Sequence, residues 1–180
     1  MKKLFVVLLA LMVCFAMPLL AQEDKKEMAA GDTDMTPPTP LTEDEYCSTR
    51  VGEWKGWSES PMGKVEQTET VEMALNGQFL LFKSQDTAGW QGMGVMTINP
   101  ETGEFMGGWA DSFRGIYEGT GKRDGNVLTM KWTGYRGTYE AVETMIGDDT
   151  ISTTWSFTDP AGNTTEGKGE LKRVKKMTSK

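Results

Sequence analysis

From about residue 53 onward the chain alternates. Leu128, Met130 and Trp132 fall on one parity, with Thr129 and Lys131 on the other. Ile151, Thr153, Trp155 and Phe157 oppose Ser152, Thr154 and Ser156 in the same way. A period of two marks strands with one face turned to a core. Turn chemistry interrupts the runs at Asn76-Gly77, Asn99-Pro100, Asp124-Gly125, Gly147-Asp148 and Asp159-Pro160. These positions supply Gly or Asn for positive φ and Pro for fixed φ. The pattern predicts strands near residues 53–60, 64–75, 78–85, 92–98, 104–111, 114–122, 126–133, 136–146, 150–158 and 164–175. Nearly every link has hairpin length, so neighbours in sequence are expected to pair. A meander this long leaves two exposed edges unless it closes. The expected fold is therefore all-β, an up-and-down antiparallel barrel of about ten strands.

Ahead of the strands, Thr42-Glu43-Asp44-Glu45 has the spacing of a capping box, with Thr42 as N-cap and Glu45 reaching back. It predicts a short N-terminal helix over 43–50, ending near Gly52. Residues 1–21 carry Lys2 and Lys3, an apolar run from Leu4 to Leu20, and Ala21 before polar Gln22. This reads as a cleaved secretory signal and places the protein outside the cytoplasm, in the periplasm or beyond the cell. A retained anchor is the competing reading, and Pro18 with the small residue before the polar segment argues against it. Cys14 follows Val13 in mid-run, a poor setting for lipidation. Residues 22–42 are charged and Pro-rich, too poor in apolar groups to offset ordering entropy, and are read as a disordered linker. The barrel domain is expected over 43–175 and a tail over 176–180.

The seam of the barrel is the stretch V-G-E-W-K-G-W, residues 51–57. Alternation groups Gly52, Trp54 and Gly56 on one face. The last strand groups Gly167, Gly169, Leu171 and Arg173. Closure sets these two faces side by side, and an inward arginine needs a partner because an unpaired buried charge is costly. Arg173 is expected to stack on the Trp54 ring, with the glycines giving the ring room. Trp57 falls on the opposite face.

Composition removes whole classes of function. The chain has no histidine, which excludes a Ser-His-Asp triad, a Cys-His pair and a His-ligated haem or zinc. Its formal net charge is −7, and loss of Lys2 and Lys3 with the leader makes it more acidic. Such a surface repels phosphate backbones, so nucleic acid is not an expected partner. Cleavage leaves Cys47 alone; it is expected as a buried thiol, with an intermolecular bridge as the alternative.

Val51-Gly52-Glu53-Trp54 after a short helix, with an arginine near the end of the last strand, resembles the lipocalin/calycin closure pattern. With Leu75-Asn76-Gly77-Gln78-Phe79-Leu80 and Trp109-Ala110-Asp111-Ser112, residues 43–175 resemble the bacterial lipocalin-like family of domain of unknown function 1579. That family often has arginine where Gln78 stands. The resemblance implies fold more than activity. A related haem-binding barrel family uses a histidine ligand, which this chain lacks, so no cofactor is carried over.

Candidate chemistry lies on the inward faces. Met73, Met96, Met106 and Met130 are soft, adaptable groups suited to a lumen, and Trp109, Trp132, Tyr139 and Trp155 supply aromatic walls. These methionines lack the clustering of a Cu(I) site, and no metal is expected. Asp111 shares a face with Phe105, Gly107 and Trp109. It serves either as a rim carboxylate of raised pKa or, more plainly, as a strand-end acceptor for turn amides. Glu69 and Glu143 are inward carboxylates with no sequence signal that they meet. Gly162–Gly169 mimics a P-loop, but no Ser/Thr or helix follows it. The leading expectation is a binding module for a small apolar or amphipathic molecule, monomeric or weakly dimeric, with no stable membrane insertion once the signal is removed. The alternatives are a filled barrel that binds an envelope or protein partner, and a cofactor-free enzyme using Asp111 or a lumenal glutamate.

Overall fold

The computed structural model describes residues 36–176. The expected leader, residues 22–35 of the expected linker and residues 177–180 of the tail lie outside the described residues. A 3-10 turn, Leu41–Glu43, leads into helix α1, Glu45–Arg50. Ten strands follow: β1 Gly52–Ser60, β2 Gly63–Ala74, β3 Phe79–Asp86, β4 Gln91–Ile98, β5 Phe105–Asp111, β6 Ile116–Asp124, β7 Val127–Gly134, β8 Gly137–Ile146, β9 Thr150–Thr158 and β10 Thr164–Lys175. Each pairs antiparallel with its neighbours in sequence, and β1 pairs with β10, so the meander is a closed barrel.

Two local expectations need correction. The cap of α1 is Asp44, not Thr42: Asp44 is extended and its side chain accepts from the Cys47 amide at 2.9 Å. Thr42 is taken up by the 3-10 turn, which moves the helix start two residues on. Strand β6 begins at Ile116 rather than 114, because Arg114 adopts φ 64 in a turn that Asp111 holds.

The end of the segment expected as linker is tied down. The Leu41 amide donates to the Gly77 carbonyl at 2.8 Å, Leu41 is buried, and Gln78 Nε2 donates to the Pro38 carbonyl. Gln78 therefore anchors the chain that enters the domain.

Helix α1 lies at the end of the barrel where β1 begins. Tyr46 packs edge-on against Phe105, and Asp44 takes a bidentate ion pair from Arg123 at 2.8 and 2.9 Å. Cys47 is fully buried there, a free thiol whose pKa burial pushes up. The core beneath the helix includes Trp54, Val71, Leu80, Phe82, Met96, Phe105, Leu128, Met130, Ile151 and Leu171. Burial of such residues is the main favourable contribution to the fold.

The seam has the expected geometry. Trp54 and Arg173 are register partners, and the guanidinium carbon lies 4.2 Å from the indole centroid. Gly56 is the reason the strands can meet: a Cβ there would sit 1.8 Å from the Glu170 carbonyl oxygen. Gly52, at φ 153, likewise has Arg173 and the Lys175 backbone where a side chain would be. Trp57 faces outward, with Lys64 Nζ 4.1 Å from its ring centroid.

Candidate functional site

The two halves of the barrel interior differ. Toward α1 the inward side chains are buried. Toward the opposite end, ringed by the β1–β2, β3–β4, β5–β6, β7–β8 and β9–β10 turns, Trp90, Trp109, Trp132, Tyr139, Trp155 and Phe157 are only half-buried. Trp90 and Trp109 stack at 6.2 Å, Trp109 meets Trp132 edge-on at 6.2 Å, and Tyr139 stacks on Trp155 at 6.0 Å.

Glycine decides how these rings lie. Trp109 is paired with Gly94, Trp132 with Gly119, and Trp155 with Gly167. A Cβ on any of these glycines would fall 2.2–2.4 Å from a ring atom. Each indole therefore rests on the bare backbone of the strand beside it. A ring seated this way runs along the wall instead of across the lumen. Trp155 is held further by its Nε1–H, which donates to Ser58 Oγ at 3.2 Å.

Below the aromatic half lies a charged cluster. Arg50, the last residue of α1, has a side chain only 2 % exposed. Its Nη2 sits 2.6 Å from Glu69 Oε1 and 3.6 Å from Glu143 Oε2. Glu69 Oε2 accepts from Ser84 Oγ at 2.7 Å, and Tyr46 reaches Glu143 Oε2 at 3.5 Å. The Arg50–Glu69 contact is ionic without hydrogen-bond alignment, and Arg50 Nε and Nη1 have no hydrogen-bond acceptor among the described residues. The Trp54 and Phe82 ring centroids lie 5.4 Å from the guanidinium and supply a π surface instead. Burial works against the charge on Arg50, but Glu69 and Glu143 outweigh it and hold the group protonated.

Glu143 differs from its partners in accessibility. Its side chain is 28 % exposed, against 8 % for Glu69. Burial nevertheless pushes its pKa above the ordinary carboxylate value, only partly countered by Arg50. Glu143 shares the inward parity of β8 with Tyr139 and Ala141, so its carboxyl faces the interior of the barrel, not the outer surface. Tyr139 behaves alike: half-buried, with its phenol pushed up by burial and by Glu143.

Met73, Met96, Met130, Trp109, Trp132, Tyr139 and Trp155 all fall on inward positions. Met96 and Met130 belong to the packed core, and Met73 packs against it. Met106 is a correction: it points outward and is 45 % exposed, because Phe105 takes the inward parity of β5. Asp111 sits at the end of β5, where its Oδ1 accepts from the Phe113 and Gly115 amides at 2.9 and 2.8 Å. The plainer of its two readings matches that geometry. Glu69 and Glu143, on β2 and β8, converge on Arg50 across the lumen. Arg50 was missed: a basic residue in the last turn of a helix reads as a partner for the helix dipole, and only its place just before the seam hints at burial.

A shallow concavity of about 750 Å³ also lies against the wall formed by β7–β10, lined by Thr129, Glu140, Thr154, Ser156 and Lys168 among others. Among the described residues no helix is long and apolar enough to cross a membrane.

Solved structures share this architecture. The protein Rv2717c from Mycobacterium tuberculosis superposes with a TM-score of 0.57 at 15 % identity, covering 75 % of this chain and 98 % of that one. The S-type phycobiliprotein lyase CPES from Guillardia theta superposes with a TM-score of 0.51 at 10 % identity, covering 75 % and 93 %. At these identities the likeness is one of fold. No curated protein matches the chain. The model of the family described as protein of unknown function, DUF1579, matches residues 39–167, and this lipocalin-like barrel belongs to that family.

Proposed function

We propose that the protein is an exported binding module that takes a small apolar or amphipathic molecule into the open half of its barrel. One observation carries the reading: Trp109, Trp132 and Trp155 each lie on a paired glycine and stay half-buried although they point inward. Rings placed along a wall expose their faces to whatever occupies the axis, and ligand pockets combine such walls with a few polar groups. The leader read in residues 1–21 supports export.

The test is native mass spectrometry of protein purified from its own host, followed by a thermal screen of fatty acids, isoprenoids, porphyrins and small aromatics. A retained small molecule, or a ligand that raises the melting temperature and alters tryptophan emission, is the expected result. At one hundred times its Kd a ligand stabilises by about 2.7 kcal/mol. If nothing is retained and nothing shifts the transition, the reading fails. The outer wall would then lead, since Met93, Val95, Met106 and Ile116 expose apolar surface on the adjacent strands β4, β5 and β6.

A further inference from the structure

The charges of the interior are unevenly distributed. Arg173 is saturated at the closed end: it donates to the carbonyls of Thr49, Val51 and Asp148 and pairs with Asp149. Arg123 is engaged by Asp44 at that same end. Arg50 is taken up by Glu69 and flanked by rings. Toward the mouth the inward positions carry Asp86 and Asp111, which cap the turn amides of Ala88, Trp90, Phe113 and Gly115. Arg114 and Arg136 lie in exposed turns, where solvent and salt screen them. The accessible charge at the base of the aromatic half is thus the Glu143 carboxyl, whose two contacts, to Tyr46 and Arg50, are long, at 3.5 and 3.6 Å.

The depth is also defined. Ala141, the next inward residue of β8 toward the mouth, pairs with Trp155, and Tyr139 beyond it pairs with Trp132. At about 3.3 Å per residue, Glu143 lies about 7 Å along β8 from the Trp155 layer and about 13 Å from the Trp132 layer, and the strand tilt makes the axial depth smaller. Cation–π attraction reaches only about 6 Å from a ring centroid, so at this separation the Glu143 carboxylate, not the tryptophans, sets the preferred sign of a ligand's end group. One carboxylate beneath these rings favours a positive ligand end and repels a negative one.

Resting on the reading of the lumen as a ligand site, we infer that its ligands are organic cations: an apolar or aromatic body held by Trp109, Trp132 and Trp155, with an ammonium group seated on Glu143. A neutral alcohol of the same shape keeps the ring contacts and can donate to the carboxyl, but it lacks the charge that the carboxylate attracts. A carboxylate is repelled by Glu143, while the nearby Arg50 is already paired with Glu69.

Three probes of one skeleton test this, phenylbutylamine, phenylbutanol and phenylbutanoate, with binding to the full-length protein measured by calorimetry and thermal shift. The amine is expected to bind about tenfold or more tightly than the alcohol, and the carboxylate more weakly than both. In Glu143→Gln the amine's advantage is expected to vanish while the alcohol's affinity holds. The comparison within the unsubstituted protein stands even if that variant is unstable. Equal or tighter binding of the alcohol or carboxylate overturns the cation assignment and leaves the lumen site intact. Failure of all three to bind overturns both.

Discussion

The guanidinium of Arg173 lies 4.2 Å from the centre of the Trp54 ring, and the two residues face each other across the pairing of the first and last strands. The side chain of Arg173 is 6 % exposed, so its hydrogen bonds to Val51 and Thr49 are made away from solvent. Arg173→Ala is expected to destabilise the barrel by about 1–3 kcal/mol, combining the lost ring contact with lost packing of the stem. Arg173→Lys should recover only part of this, because an ammonium cannot reproduce the planar fork. Chemical denaturation with an unchanged m-value is the measurement; equal stability of Arg173→Ala and the parent would remove the seam from the account.

Gly167 and Gly119 test the wall geometry. Alanine at either position puts a methyl where the Trp155 or Trp132 ring now lies. Overpacking of this kind costs about 1–3 kcal/mol. The displaced ring must turn toward the axis, so ligand affinity is expected to fall more than in Gly108→Ala, where a Cβ would meet only the Tyr117 carbonyl oxygen at 4.0 Å. Tryptophan emission should report the move by a change in wavelength.

The entry to the domain offers a second stability test. Asp44→Ala removes the cap of α1 and the partner of Arg123, and is expected to cost about 1 kcal/mol or more. Burial raises the Asp44 pKa, but the Cys47 amide and Arg123 outweigh it and hold the group below its ordinary 3.8. Its contribution is therefore fully present above that value and is lost as the pH falls through the lower folded value. The parent and Asp44→Ala should converge in stability only in strong acid. A chain beginning after Glu43 should also melt below one beginning at Thr36, since it lacks buried Leu41 and its bond to Gly77.

Glu143 has the opposite sign. Its folded pKa is raised from 4.5, so the folded state binds the extra proton. The charged form penalises folding, and the penalty grows as the pH rises from 4.5 through the folded value. The stability of Glu143→Gln relative to the parent is accordingly expected to improve over that interval. Stability curves of the two proteins that stay parallel from pH 4 to 8 would falsify this, whatever their offset.

Which parts of this were legible beforehand follows from the range of the forces involved. Alternation such as Leu128-Thr129-Met130-Lys131-Trp132 is local, and it located the strands because burial of one face imposes a period of two. The seam was legible because closure is a topological necessity that puts Trp54 beside Arg173. The capping error came from two competent caps, Thr42 and Asp44, two residues apart; local spacing cannot choose between them when a 3-10 turn intervenes. Met106 was misplaced although its own strand's parity, shared by Phe105 and Trp109, put it outside. The convergence of Glu69 and Glu143 on Arg50 left no trace in the sequence, because strands β2 and β8 meet across a lumen whose width no local pattern encodes.

The bond from Arg173 to the Val51 carbonyl spans 122 residues, and this fixes an order of events during synthesis. Every hairpin of the meander can form once its second strand has left the ribosome. The join between β1 and β10 cannot, and until it does the first strand is an open edge able to pair with other chains. Long-range closure of this kind is slow relative to hairpin formation. A chain halted before Gly169 is expected to be cut along its whole length in pulse proteolysis, and one that includes Lys175 only at its termini. Until β10, Thr164–Lys175, has paired with β1 the chain is a ribbon of hairpins and not a vessel, so damage to that last strand is expected to be felt by all the strands made before it.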